Sequence, residues 1–366
     1  MTKLYALTLL LFLISSSLTA QSIEQIRTAS HHFLTTLTDG QLATVNHAFD
    51  DSSRTQWTNL PVGLAARPGL RYGDLSEDSR IEFHHLLTTL FSSQGYLKTT
   101  SILQLDDILN VVYETAYERG DIPVQAIEQI RNLDWSLENY FISFYGEPGP
   151  VEPWGIKFEG HHISYNLTAT GDDFSMTPLF LGSDPAEVKI TKYAGIRVLS
   201  KEEDYGIKLI NALDDEQKSN ATLSQDVPGD ILTNPSSTQR LLEYQGIKAS
   251  ELTDTQKKLL KRLISDYIGN LEHEKYQYYL EKIDSSGIDE IYFAWIGSYQ
   301  RMNPHYYAIN GPDFLIEYDN VGFNNDGNHI HTTWREKGND FSADLLREHR
   351  VNHQHWSFLF ESENIR

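Results

Sequence analysis

The sequence predicts an α+β protein made of two diverged copies of one unit, each a group of helices followed by an antiparallel β-meander, in a pseudo-twofold arrangement. Segments with apolar residues at helical spacing precede segments rich in aromatic and β-branched residues. The same order of segments returns in the second half of the chain. Parallel β-α-β alternation is not evident, which favours the α+β class over the α/β class.

The helical part of the unit shows the repeat as matching motifs. The matching segments are 33–41 with 209–217 and 69–87 with 246–264. Ser76 and Thr253 occupy equivalent places, and each is a typical N-cap residue followed by an acidic residue in the first turn. The first copy is longer than the second, which predicts an extra helix around residues 105–119.

The strand part of the unit repeats as well. The matching segments are 140–146 with 291–297 and 158–160 with 309–311. Aromatic and β-branched residues with Gly and Pro between them are typical of strands joined by hairpins. This alignment places Asn166 opposite Glu317. The sequence leaves open whether the two units share one sheet or form separate domains.

The chain therefore divides into five predicted regions. They are a signal peptide at 1–20, repeat unit 1 at 21–183, a connector at 184–204, repeat unit 2 at 205–350 and a C-terminal tail at 351–366. The signal peptide is indicated by Lys3, an apolar run at 4–14 and small residues that end at Ala20. That run is shorter than the ~20 residues that a transmembrane helix needs. We therefore expect a secreted or periplasmic protein that inserts into no membrane after cleavage.

Composition excludes several kinds of function. The chain has 51 Asp and Glu against 30 Lys and Arg, a net charge of −21, and this negative field repels nucleic-acid phosphates. Cysteine is absent, which excludes disulfides, thiol nucleophiles and Cys-ligated metals. A small-molecule ligand or substrate remains the expected partner, and the oligomeric state is not specified.

The strongest chemical signal is the motif His329-Ile330-His331. Side chains alternate along a strand, so both histidines face the same way and can share one cation. A turn sequence at 324–327 predicts a hairpin that brings Glu317 beside them. Such a His-His-carboxylate set suits Zn²⁺, Mn²⁺, Fe²⁺ or Cu²⁺ and leaves positions open for water or substrate. The alternative is a hairpin with two solvent-facing or hydrogen-bonded histidines.

Three further residues are candidates for catalysis. His161 and His162 follow Glu-Gly, and the pseudo-twofold arrangement can bring one of them to the predicted metal ligands as a fourth ligand or general base. Their alternative is an ordinary strand pair. Arg335 can orient an anionic substrate through a bidentate contact. Its alternative is a salt bridge to Asp340 or Glu336.

Motifs over nearly the whole mature chain resemble one family. They are Arg54, Trp57, Gly69-Leu70, Trp154, Glu159-Gly160-His161-His162, Asn166, residues 178–182, Phe293-Ala294-Trp295, Gly311-Pro312, Ile316-Glu317-Tyr318, Asn328-His329-Ile330-His331, Trp334-Arg335, Asp340-Phe341 and His349. This combination resembles the domain of unknown function 3500 family, which is functionally uncharacterised. The resemblance implies a single full-length module and carries over no catalytic residues.

Three functions remain open on the sequence. The first is a metal-dependent enzyme, a hydrolase or an oxidoreductase, that acts on a small molecule at a His-rich site between the repeat units. The second is a non-catalytic binding protein for a metal or small ligand. The third is a structural or interaction module with incidental histidines. The asymmetric polar residues at the junction of the copies favour the first.

Overall fold

The computed structural model describes residues 22–237, 241, 243–322 and 325–352. The predicted signal peptide and residues 353–366 of the predicted tail lie outside the described residues. The helices are α1 (22–35), α2 (Asp39–Val45), α3 (Glu77–Leu90), α4 (Ser93–Glu118), α5 (Val124–Arg131), α6 (Ser200–Asn211), α7 (Asp215–Ala221), α8 (Asp254–Ile268), α9 (His273–Ser286) and α10 (Ala343–Asn352). Among these helices, none combines the length and the apolar character that crossing a membrane requires.

The strands join into one mixed sheet. They are β1 (Asn46–His47), β2 (Leu70–Arg71), β3 (Phe141–Tyr145), β4 (Trp154–Glu159), β5 (Ile163–Thr170), β6 (Asp173–Ser175), β7 (Leu179–Ser183), β8 (Thr222–Ser224), β9 (Ile247–Lys248), β10 (Tyr292–Gly297), β11 (His305–Asn310), β12 (Phe314–Asp319) and β13 (Ile330–Glu336). The spatial order is β1-β3-β4-β5-β7-β13-β12-β11-β10-β8, with β2 on β3, β6 on β5 and β9 on β10. A single sheet therefore runs through both predicted units, which the sequence left open.

The sheet is largely antiparallel, as predicted, with two exceptions. The short strands β1 and β8 pair in parallel with β3 and β10. At the centre, β7 and β13 pair antiparallel with Leu181 opposite Thr332. The coarse prediction of a mixed helix-and-sheet protein is confirmed, and the parallel pairs at the two ends make the sheet mixed.

Helices cover one face of the sheet. Ser76 and Thr253 cap α3 and α8 by accepting backbone hydrogen bonds, as predicted from their positions. Buried apolar side chains of the helices and of one strand face form the main core, which includes Phe83, Leu263 and Phe158. The predicted extra helix at 105–119 is wrong as a separate element. Residues 105–118 belong to the 26-residue α4, and Arg119 is its C-cap.

The helices of the two halves meet beside the sheet centre. Phe91 and Leu271 form an isolated antiparallel bridge between the residues that follow α3 and α8. Nearby, the buried ammonium of Lys98 lies 2.7 Å from Glu202 and 3.0 Å from Asp266. This buried ion pair ties α4 of the first half to two helices of the second.

Two loops cover the opposite face of the sheet. Segment 48–69 is held there by Lys157, whose ammonium donates to the carbonyls of Ser53 and Gln56, and by Trp57 against Phe180. Segment 225–237 packs on the other half of the face through Val227 and Leu232. Ile231 and Thr233 of this second segment are buried.

Candidate metal centre

A cluster of histidines lies at the middle of the loop-covered face. His162 directly precedes β5, His329 directly precedes β13, and His331 lies within β13. In register, His331 is opposite Gly182 of β7, and the Gly182 amide donates to the carbonyl of His162 at 2.8 Å. The sheet order therefore brings one histidine from the first half to two from the second.

Gly182 makes room for the ring of His162. A Cβ atom at this position would lie 2.3 Å from Cδ2 of His162, far inside van der Waals contact. Because Gly182 has no side chain, the imidazole can lie over β7 and reach the histidines of β13.

Three imidazole nitrogens converge at this point. Nε2 of His329 lies 2.9 Å from Nε2 of His162 and 3.1 Å from Nε2 of His331. The three ligand nitrogens all lie within 4.8 Å of one another. The ring of His329 stands nearly perpendicular to the other two, at 85° and 89°. This is a compact set of nitrogen donors.

Carboxylates lie on the far side of the rings. Nδ1 of His331 donates to Oδ1 of Asp230 at 2.8 Å, and Nδ1 of His329 lies 3.5 Å from Oδ2 of Asp184. A carboxylate at Nδ1 favours the tautomer in which Nε2 carries the lone pair that binds a cation. The second oxygen of Asp230 accepts from Asn59 at 3.1 Å, so both covering loops meet beside His331.

His161 extends the cluster. Its Nδ1 lies 3.0 Å from Oδ1 of Asp106, and the other oxygen of Asp106 accepts from the hydroxyl of Tyr140 at 2.9 Å. The ring of His161 packs on His162 at 3.7 Å between centroids and on Trp135 at 5.9 Å. Asp106 thus orients His161 directly beside the three converging imidazoles.

Burial controls the protonation of the cluster. It lowers the pKa of His162 and of His329 well below the usual value, and the neighbouring histidines add to the effect. Burial also acts to lower the pKa of His331, but the hydrogen bond to Asp230 and the nearby carboxylates outweigh it, so this pKa is raised. Two of the converging imidazoles are therefore neutral at pH 7, the form that binds metals.

The carboxylates are shifted in the opposite direction. Burial raises the pKa of Asp184 to about 7, and the charge of Asp106 adds to this effect. Burial likewise raises the pKa of Asp319, the residue opposite His331 on β12, to about 7. Both carboxyl groups therefore change protonation near neutral pH.

A family model described as a protein of unknown function (DUF3500) matches residues 19–343. The chain belongs to the DUF3500 family. The resemblance inferred from the sequence motifs is thereby confirmed for nearly the full length. No curated protein and no solved structure shows significant similarity to the chain. Membership of the DUF3500 family brings no reaction with it, so the function must be argued from the geometry of the site.

Four of the six site residues predicted from the sequence meet in this DUF3500 protein. They are His161, His162, His329 and His331. His161 lies behind the converging nitrogens, and His162 is one of the three convergent donors.

Glu317 and Arg335 do not join this group. The carboxylate of Glu317 accepts from the amide of Leu232 at 2.7 Å, from the hydroxyl of Tyr306 at 2.9 Å and from Thr233. The reason is the strand register, which sets Glu317 opposite Thr333 and sets Asp319, two residues further, opposite His331.

The guanidinium of Arg335 is also occupied. It donates to the hydroxyl of Thr233 at 3.0 Å and to its carbonyl at 2.7 Å, and it pairs with Asp340. The salt bridge to Asp340 is the alternative that the sequence left open for this residue. Its contacts hold segment 225–237 on the sheet.

Sequence reasoning missed four carboxylates of the site. They are Asp106, Asp184, Asp230 and Asp319. A signal existed for Asp319, because it lies on the same strand face as Glu317. Asp106 comes from the middle of α4 and Asp230 from a loop, so no local pattern marks either residue.

Proposed function

We propose that this DUF3500 protein binds a divalent transition metal through His162, His329 and His331 and acts with it as an enzyme on a small molecule. The observation that carries this proposal is the convergence of three Nε2 atoms at separations of 2.9 and 3.1 Å. With metal–nitrogen bonds of about 2.0–2.1 Å, ligands that subtend about 90–100° at an ion lie about 2.8–3.2 Å apart. The spacing therefore fits a shared ion.

The number and type of donors favour catalysis over a purely structural metal. Within the described residues, this group contributes three imidazoles, the ligand number typical of catalytic sites, whereas structural zinc sites have four protein ligands. Imidazole donors suit Zn²⁺, Fe²⁺ and Cu²⁺, whereas Mn²⁺ prefers oxygen ligands. A bound ion supplies Lewis acidity for hydrolysis, or a redox couple for oxidation if it is a redox metal.

His161 is our candidate general base. Its Nδ1 faces the carboxylate of Asp106 at 3.0 Å, which leaves Nε2 to accept a proton. Its ring packs directly on His162, so an accepted proton would be held next to the metal ligands. His161 and Asp106 thus resemble the base and its orienting carboxylate in other hydrolytic sites.

A non-catalytic binding protein for a metal or small ligand is the second candidate. Burial favours it, because the side chains of His162 and His329 are only 1% and 8% exposed. A site so enclosed can retain an ion without turning over a substrate. Rapid exchange of metal-bound water with solvent would favour the enzyme over this alternative.

Metal content is the measurement that tests the site. The mature chain is purified without an affinity tag, and its metals are quantified by inductively coupled plasma mass spectrometry before and after dialysis against each of the four candidate ions. We expect tightly held metal in the wild type and its loss in His162→Ala and in His329→Ala.

His85→Ala is the matched control, because His85 lies on the outer side of α3 with its side chain 65% exposed. It should retain wild-type metal content. A folded wild type that takes up none of the four ions would overturn the proposed function. Equal metal content in the wild type and His329→Ala would show that the metal lies elsewhere.

We further propose that the two halves are diverged copies of one unit. From one end towards the centre the strands are β1-β3-β4-β5-β7, and from the other end they are β8-β10-β11-β12-β13. In both halves the chain visits these strands in the same order, and the end strand is paired in parallel. The alignment of 158–160 with 309–311 also makes Leu181 equivalent to Thr332, and these two residues pair at the centre. A twofold axis between antiparallel strands requires such pairing of equivalent residues.

Export remains part of the proposal. It is supported by the charged, apolar and small-residue pattern of residues 1–20. N-terminal sequencing of the protein recovered outside the cytoplasm should begin after Ala20. We also propose that the partner is a small molecule, since the net charge of −21 opposes binding to nucleic acid.

A further inference from the structure

We propose a second cation site beside the first, formed by Asp230, Asp319 and Nδ1 of His331, so that the His331 imidazole bridges two metal ions. This inference rests on the proposed function, because Nε2 of the same ring is a ligand of the first ion. The three converging imidazoles imply one bound ion, and the second site would make the centre dinuclear.

The two distances from Nδ1 of His331 have the spacing that a shared ion requires. Nδ1 of His331 lies 2.8 Å from Oδ1 of Asp230 and 4.0 Å from Oδ2 of Asp319. All three ligand atoms lie within 4.8 Å of one another. Two ligands bound at about 2.0–2.2 Å to one ion lie no more than about 4.4 Å apart. Both distances from Nδ1 fall within that limit.

Asp319 provides an independent indication that a cation binds here. Its side chain is buried, and Oδ2 accepts no hydrogen bond from the described residues. The other oxygen accepts the amide of Val321 at 3.1 Å, so the side chain is fixed with Oδ2 directed towards His331. Buried acceptors are nearly always satisfied in folded proteins, and a cation at this position would satisfy Oδ2.

The charges around the cluster also favour a bound cation. The groups that act electrostatically on Asp319 are His331, Asp230 and Glu317, and among them only His331 can be positive. Around Asp184 they are Asp106, His331 and Asp326, again with one possible cation. Buried carboxylates thus outnumber the possible cations around the imidazoles, and divalent ions would offset their negative charge.

The remaining features of the site are compatible with loading of this ion. Asp230 lies at the edge of the cluster with its side chain 29% exposed, so a cation can reach it from solvent. Asn59 holds the second oxygen of Asp230 and fixes its orientation. Binding of the ion at Nδ1 replaces the proton that Nδ1 donates to Asp230, and that proton passes to solvent.

The test is a metal titration of the full mature chain after chelation. The wild type, Asp319→Asn and Asp226→Asn are titrated with Cu²⁺ in equilibrium dialysis, and bound copper is counted by mass spectrometry. Asp226→Asn is the matched control, since Asp226 is exposed and lies in the same loop as Asp230. We expect two ions per chain in the wild type and the control, and one in Asp319→Asn.

Electron paramagnetic resonance gives a second readout that does not depend on activity. Two Cu²⁺ ions joined by an imidazolate couple their spins, so the wild type should show much less signal than its copper content. Asp319→Asn should show the full signal of one isolated ion.

Each outcome decides between the two proposals. One ion in both the wild type and Asp319→Asn overturns the second site and leaves the three-histidine site standing. Two ions in both, with uncoupled spins, overturns the assignment of the second ion to Asp319. No tightly bound ion in the folded wild type overturns the three-histidine site as well.

Discussion

Gly182 is the single residue on which the approach of the two halves depends most directly. Its missing side chain lets the His162 ring lie across β7, because any Cβ there would lie 2.3 Å from that ring. The sequence offers no local reason for this glycine within a strand, where glycine usually weakens packing. Its role becomes clear only once His162 and His331 are placed on either side of it.

We expect Gly182→Ala to weaken metal binding by roughly 10–100-fold, the range seen when the support of a metal ligand is disturbed. The added methyl group forces the His162 ring away from the other two imidazoles, and it would also lie 3.0 Å from the carbonyl oxygen of Ile330. The measurement is a competition titration of Zn²⁺ against a chelating dye. Gly40→Ala is the control, since nothing lies within 4 Å of a Cβ there. Unchanged affinity in Gly182→Ala would show that His162 is not a ligand.

Among the individual residues, the sequence analysis identified histidines that meet at the site but chose the wrong carboxylate. His329 and His331 were found because strand periodicity is local. Glu317 was chosen instead of Asp319 because the register of a hairpin depends on turn geometry, and a shift of two residues keeps the same face of the strand. Asp106 and Asp230 approach from α4 and a loop, through tertiary packing that no spacing rule encodes.

Among the elements, β11 carries a histidine that should govern part of the pH dependence of stability. His305 is fully buried and stacks between Trp295 and Tyr318. Burial lowers its pKa from 6.5 to about 4, although a hydrogen bond with the carbonyl of Asn303 partly opposes this. The unfolded chain therefore binds this proton below pH 6.5 while the folded chain does not, and stability falls as pH decreases towards 4.

We expect His305→Phe to reduce this loss. Between pH 7.5 and pH 5 the buried histidine should contribute a loss of about 2 kcal/mol of unfolding free energy in the wild type, and none in the variant. Urea denaturation of metal-free protein at both pH values measures the difference. His85→Phe, on the exposed side of α3, should keep the wild-type dependence. If the unfolding free energies of the wild type and of His305→Phe changed equally with pH, His305 would not be the source of this pH dependence.

Local signals also explain which elements could be predicted. The N-caps of α3 and α8 were correct because a capping residue acts within its own first turn. The extra helix of the first half was misjudged because the sequence from 96 to 118 contains no Gly or Pro, so α4 simply continues. The parallel pairing of β1 and β8 was missed because strands of two and three residues carry no periodicity.

For the whole molecule, the central pairing of β7 with β13 predicts that neither half folds alone. Separation would expose both strands as unpaired edges and uncover the core around Phe91 and Leu271. We expect fragments 21–191 and 192–366 to be insoluble when expressed separately and to form a soluble one-to-one complex when expressed together. Circular dichroism and size-exclusion chromatography measure both.

The cut lies in an exposed connector, where a break costs little. A cut after Leu103, inside α4, is the control and should prevent reconstitution, because that helix is buried there. A single fragment that is soluble and cooperatively folded would show that the halves are independent domains.

The division of ligands between the halves has a thermodynamic consequence. His162 belongs to the first half, while His329 and His331 belong to the second, so an ion held by all three binds only when the halves are docked. Its binding free energy is then added to that of docking, and the two vary together by linkage. A substitution in the helical junction that undocks a fraction of the molecules, such as one at Lys98, would therefore lower the apparent metal affinity.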